Sequence, residues 1–164
     1  MYKINISSRT LHFLRPAGTS RGVYTTRKSY YVTLSDTNQP DVVGIGECAT
    51  LPDLSCDAMT DEKYEQKLRS FCDDFCHTGV IDIDAMRPYP SMLFGLETAK
   101  AQLDVKGSIN FFNTAFGRGE EGITINGLVW MGTFEEMYQR LETKLKAGFR
   151  CVKLKIGAID FEKE

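Results

Sequence analysis

Near its end the sequence carries Lys153-Leu154-Lys155-Ile156-Gly157, two amines one residue apart in an apolar stretch. On a strand alternate residues share a face, so Lys153 and Lys155 point one way while Val152, Leu154 and Ile156 point the other. If the first face is enclosed, desolvation and like-charge repulsion both oppose a pair of ammonium groups there. The same two effects make a neutral amine available near neutral pH, which is what a general base requires. A sheet-edge strand that shows its lysines to water, a common guard against aggregation, fits the spacing equally well. The other cluster is Cys72, Cys76 and His77. Cys72 and Cys76 share a helix face, but His77 lies about 100° round from Cys76. No partner pair of Cys or His follows at zinc-site spacing, so packing of buried thiols is expected there.

The lysine pair needs a strand to hold it, and the pattern around it supplies one. Residues 123–129 read as a short apolar strand, Thr133 with Glu136 as a capping box, and Phe134, Met137, Tyr138, Leu141 and Leu145 as one helix face closed by Gly148. Residues 150–156 are then a second strand, and 160–164 the start of another helix. Strand, helix, strand is a βαβ unit with parallel strands. Two parallel strands and one helix cannot cover both sheet faces, so the chain is expected to stop partway through a β/α barrel.

The preceding residues are organised differently. Residues 3–14 alternate as a strand ended by Pro16, 17–26 form a Gly/Ser/Thr-rich loop, and 29–35 and 42–48 are two more strands around a turn at 36–41. After an irregular segment at 49–57, Thr60 opens a helix whose apolar stripe is Tyr64, Leu68, Phe71 and Phe75. A further helix spans 91–105, with Leu93, Leu96, Ala99 and Leu103 inward and Gly107 as its stop. Strands followed by helices make an α+β unit. It occupies residues 1–112, joined by a Gly-rich linker at 113–122 to the barrel start at 123–164.

Composition removes other classes of function. Lys plus Arg number 20 against 22 Asp plus Glu, and no basic run is interleaved with aromatics, so a nucleic-acid partner is not expected. No apolar stretch approaches the roughly 20 residues that cross a bilayer. Five cysteines, an odd number, with a strand pattern at the very start and no leader-like apolar run, lead to reduced thiols and a cytoplasmic setting.

Four segments, in order and spacing, resemble the muconate-lactonizing subgroup of the enolase superfamily: Gly44-Ile45-Gly46-Glu47-Cys48, the helix opening from Pro90 to Ala99, Ile125-Asn126-Gly127-Leu128, and Lys153-Leu154-Lys155. The resemblance covers essentially the whole chain. It implies an N-terminal capping domain with a three-stranded antiparallel meander and helices, followed by the first βαβ of an incomplete β/α barrel. It implies that Lys155 removes a proton α to the carboxylate of a small substrate, while Lys153 beside it assists electrostatically. In the intact enzyme Mg²⁺ stabilises the resulting enediolate. The metal ligands, acidic residues on later barrel strands, and the lysine on the far side of the barrel have no counterpart here. Residues 17–26 and 49–57 match the two loops that close over substrate, with Arg21 and Leu51 as the expected contacts.

Abstraction of a carbon-bound proton needs a counter-charge on the dianion, and Glu47, Glu120, Glu121, Asp160 and Glu162 read as surface charges. Neither bound metal nor turnover is therefore expected of the chain by itself. Dehydration, cycloisomerisation, dipeptide epimerisation and N-succinylamino acid racemisation share the lysine pair, and these residues do not separate them. A noncatalytic α+β interaction module is the reading from another class. Apolar surface on the barrel stub makes homo-oligomerisation or a domain swap the expected kind of association.

Overall fold

The computed structural model describes residues 1–19, 22–157, 160 and 162. The chain divides into two compact units, Met1–His12 with Thr26–Arg118, and Phe13–Thr25 with Gly119–Glu164.

The first unit is built on a three-stranded sheet in the order β1 (Tyr2–Thr19), β2 (Gly22–Asp36), β3 (Gln39–Ala49), with residues 13–19 of β1 and 22–25 of β2 belonging to the second unit. β2 and β3 pair antiparallel, with Tyr30 opposite Cys48, Val32 opposite Gly46 and Leu34 opposite Gly44. Tyr30, Val32, Leu34 and Cys48 are buried and form one side of the core. The other side comes from α1 (Asp61–Thr78), the single turn α2 (Ile83–Met86) and α3 (Pro90–Asp104). The expected stripe of Tyr64, Leu68, Phe71 and Phe75 is buried, and Tyr30 stacks on Tyr64 with ring centroids 4.9 Å apart. Leu96 and Ala99 are buried, with Leu93 and Leu103 packed against them. This is the α+β meander with helices that the order of elements predicts.

Two local expectations need correction. β1 continues past Pro16 to Thr19 and β2 begins at Gly22, so most of the 17–26 segment is strand and not loop. β1 lies at the sheet edge, where a proline's missing N–H breaks no ladder bond if it faces the open side. Thr60 does occupy the N-cap of α1, but its side chain makes no capping bond; Asp61 and Glu62 supply negative charge to that end of the helix. The helix expected from about residue 91 to 105 is borne out as Pro90–Asp104, with proline in the first turn, where no N–H partner is needed.

Glycines set how closely α3 lies on β3. A Cβ on Gly44 would stand 1.9 Å from the Ala99 carbonyl oxygen, and one on Gly46 1.7 Å from that of Gly95. On the helix side, a Cβ on Gly95 would meet Cys48 Sγ at 2.2 Å. Backbone therefore rests on backbone. The Gln102 side chain completes the contact, accepting from Ile45 N at 2.8 Å and donating to Gly107 O at 3.1 Å.

In the second unit β4 (Gly127–Val129) and β5 (Val152–Leu154) pair parallel around α4 (Phe134–Lys146), which confirms the βαβ unit. Thr133 and Glu136 make both bonds of the capping box. Gly148, with φ +85°, follows the helix end. Both strands are shorter than the apolar runs suggested, since each has one pairing partner among the described residues. The helix face is also less covered than expected. Met137 and Leu141 are half-buried, but Phe134, Tyr138 and Leu145 are exposed, because a two-stranded sheet is too narrow to cover the whole stripe. The helix expected at 160–164 falls mostly outside the described residues.

Candidate functional site

The register of the parallel pair fixes the direction of the lysines. Gly127 faces Val152, Leu128 faces Lys153 and Val129 faces Leu154. Val129 is fully buried, and a Cβ on Gly127 would meet Phe149 and Lys144, so this set of alternate residues packs toward α4. Leu128, Lys153 and Lys155 therefore stand on the opposite face with Trp130. The Lys155 backbone N–H donates to Val129 O at 3.0 Å, carrying the ladder one rung beyond the assigned strand. Lys155 is half-buried and Lys153 exposed. The Lys155 Nζ lies 6.0 Å from the centre of the Trp130 ring.

The turn after β4 is held by charge. Arg140 donates from Nη1 to Trp130 O at 2.9 Å and to Met131 O at 3.2 Å, and lies 3.7 Å from Glu136. A cleft of about 520 Å³ beside this turn is lined by Arg15, Leu128, Trp130, Gln139, Arg140 and Lys144, among others. Sequence reasoning passed over Trp130. The signal was available, because the alternation that aligns Lys153 with Lys155 also aligns Leu128 with Trp130.

Arg21 lies outside the described residues. Leu51 is half-buried in the first unit, where its N–H donates to Ser55 Oγ at 3.0 Å and its carbonyl accepts from Ser55 N at 3.0 Å. Its segment is anchored by Asp57, which is 4% exposed and accepts at Oδ2 from Ser91 N at 2.8 Å, in the first turn of α3. Ser91 Oγ also bonds both Asp57 and Tyr64 Oη, and burial pushes the Tyr64 hydroxyl well above its ordinary range.

The thiols are all free. Burial pushes Cys48 and Cys72 up to about 12, which keeps them neutral and unreactive, and it raises Cys76 as well. His77 Nδ1 turns back to Asp73 O on its own helix, 2.6 Å away. Among the described residues no three His, Cys, Asp or Glu side chains gather as metal ligands. Glu47, Glu120, Glu121, Asp160 and Glu162 are exposed.

No family model matches the chain. Its fold is nevertheless that of enolase-family proteins, a capping domain of sheet and helices followed by the first βαβ of a β/α barrel. The sequence likeness is to o-succinylbenzoate synthase. The enzyme of that name from Desulfotalea psychrophila is 36% identical over 183 aligned residues, taking in 94% of this chain and 49% of that protein. The crystal structure of MenC from the same organism superimposes with a TM-score of 0.66 at 25% identity, over 93% of this chain and 48% of that one. The o-succinylbenzoate synthase of Thermosynechococcus elongatus, solved with magnesium in its active site, gives a TM-score of 0.59 at 22% identity over 99% of this chain and 44% of its own. The L-Ala-D/L-Glu epimerase of Bacillus subtilis gives 0.62 at 18% over 98% and 46%. These last two speak for the fold alone. The chain spans about half the length of the relatives it matches.

Proposed function

We propose that this chain is the N-terminal part of an o-succinylbenzoate synthase of menaquinone biosynthesis, acting in the cytoplasm on a cyclohexadiene carboxylate. Lys155, as a neutral amine, takes the proton α to the carboxylate. The C–H electron pair passes into an enediolate, which collapses to form the C=C bond as the β-hydroxyl departs, taking the proton back from the Lys155 ammonium to leave as water. Lys153, one strand period away, lends positive charge to the carboxylate. Arg21 and Leu51 contact the substrate from the capping segments. The observation that carries the reading is the placement of both amines on the sheet face opposite the one packed on α4. The 36% identity to the Desulfotalea synthase supports the choice of reaction.

Mg²⁺ belongs to this reading of the whole enzyme, where it would supply counter-charge to the dianion. The described residues of this chain do not fit it, since they gather no ligand set. Residues 1–112 then serve as the cap, 113–122 as the linker and 123–164 as the barrel's beginning.

The test is a dehydration assay on the 164-residue chain and on a protein that continues into the remaining barrel strands. The chain alone should show no turnover. The longer protein should turn over, and Lys155→Ala should lower its rate by about 10³-fold or more while leaving the circular dichroism unchanged. Robust turnover by the chain alone, or undiminished turnover in Lys155→Ala, would overturn the reading. Preference for a muconate, a dipeptide or an N-succinylamino acid would move the chain to a sister reaction that uses the same amine.

A further inference from the structure

We infer that Trp130 is a positioning residue for Lys155; the inference rests on the reading of Lys155 as the base. Four observations converge on it. The register that pairs Leu128 with Lys153 puts Trp130 beside Lys155 on the next rung, and the bond from Lys155 N to Val129 O fixes the backbone there. The ring centre is 6.0 Å from Nζ, within reach of a cation–π contact. Among the described residues no carboxylate pairs with Lys155, so the indole is its neighbouring electron-rich group. The platform itself is held, because Arg140, braced by Glu136, grips the Trp130 carbonyl.

The choice of partner has a chemical consequence. A carboxylate beside a base lysine holds the ammonium by full charge and opposes its return to the neutral amine. An aromatic face attracts the ammonium more weakly, and it keeps van der Waals contact with the side chain after the proton has gone. The side chain is thus kept in place through both halves of the cycle. Trp130 remains 39% exposed, which leaves part of the ring open to a substrate.

The experiment uses two readouts. In the 164-residue chain, lysines are reductively methylated with ¹³C-formaldehyde, and the Lys155 resonance is assigned through Lys155→Arg. Trp130→Leu should move that resonance by removing the ring current and leave the Lys153 resonance in place. In the turnover-competent longer protein, Trp130→Leu should lower kcat about tenfold with KM within about twofold, and Trp130→Phe should restore kcat to within about threefold of the parent. An unmoved Lys155 resonance, or equal kcat losses in the Phe and Leu variants, would overturn the inference. Turnover that survives Lys155→Ala fells the base assignment and this inference with it. Loss in Lys155→Ala with full kcat in Trp130→Leu fells the inference alone.

Discussion

At the scale of single residues, two kinds of reactive side chain received opposite environments. The lysines stand on the sheet face opposite α4, Lys155 half-buried and Lys153 exposed, whereas Cys48 and Cys72 are enclosed by the core of the first unit. Alternation along a strand was enough to align Lys153 with Lys155. It did not show what the amines would meet, because the Trp130 ring arrives from a neighbouring strand through a pairing register that only tertiary structure defines. The thiols carry a prediction. Ellman's reagent at mildly alkaline pH should modify the exposed Cys56 and Cys151 quickly, and reach Cys48 and Cys72 only on unfolding. Burial raises both core thiols from 9.0 to about 12, so the folded state disfavours their thiolates more than the unfolded chain does. Their contribution to stability is whole below about pH 9 and is lost as the pH climbs through about 12. Urea midpoints measured from pH 8 to 11 should fall. A Cys48→Ala/Cys72→Ala double variant whose midpoint falls just as steeply would show that other groups drive the loss.

At the scale of elements, the Gly44-Ile45-Gly46 motif is first a packing device. Its glycines let β3 accept the backbone of α3, and Gly95 returns the favour from the helix. Gly46→Ala should therefore cost on the order of 3 kcal/mol or more, since the displaced group is a carbonyl and not a flexible side-chain end. Gly18→Ala has open space around the new methyl and should stay within about 0.5 kcal/mol. Equal midpoints for the two variants in urea would contradict the packing account. The sequence marked these glycines by spacing but was silent on their reason, because close approach depends on which helix lands on which strand. Capping was legible where side chain and backbone are neighbours, as at Thr133 and Glu136. It misled at Thr60, where the residue type fits the position but the hydroxyl makes no cap bond.

At the scale of the whole molecule, the two units bury themselves unequally. α1 contributes five buried residues, while α4 contributes none and leaves Phe134, Tyr138 and Leu145 exposed. Leu154 and Ile156 add to the apolar surface of the second unit. Such surface favours association, and light scattering at high micromolar concentration should report a mass above that of one chain, reduced by Phe134→Ser with Leu154→Ser. A monomer at every concentration would refute this. The sequence by itself determined the order of elements, the change from a segregated α+β pattern to βαβ, and the alignment of both lysines on one side of their strand. All of these follow from periodicities of two and 3.6 residues, which act between near neighbours. Only the tertiary structure decided the extension of β1 through Pro16, the backbone contact of α3 with β3, and the indole beside Lys155. These depend on pairing register and close approach between residues far apart in the chain, which no local period encodes.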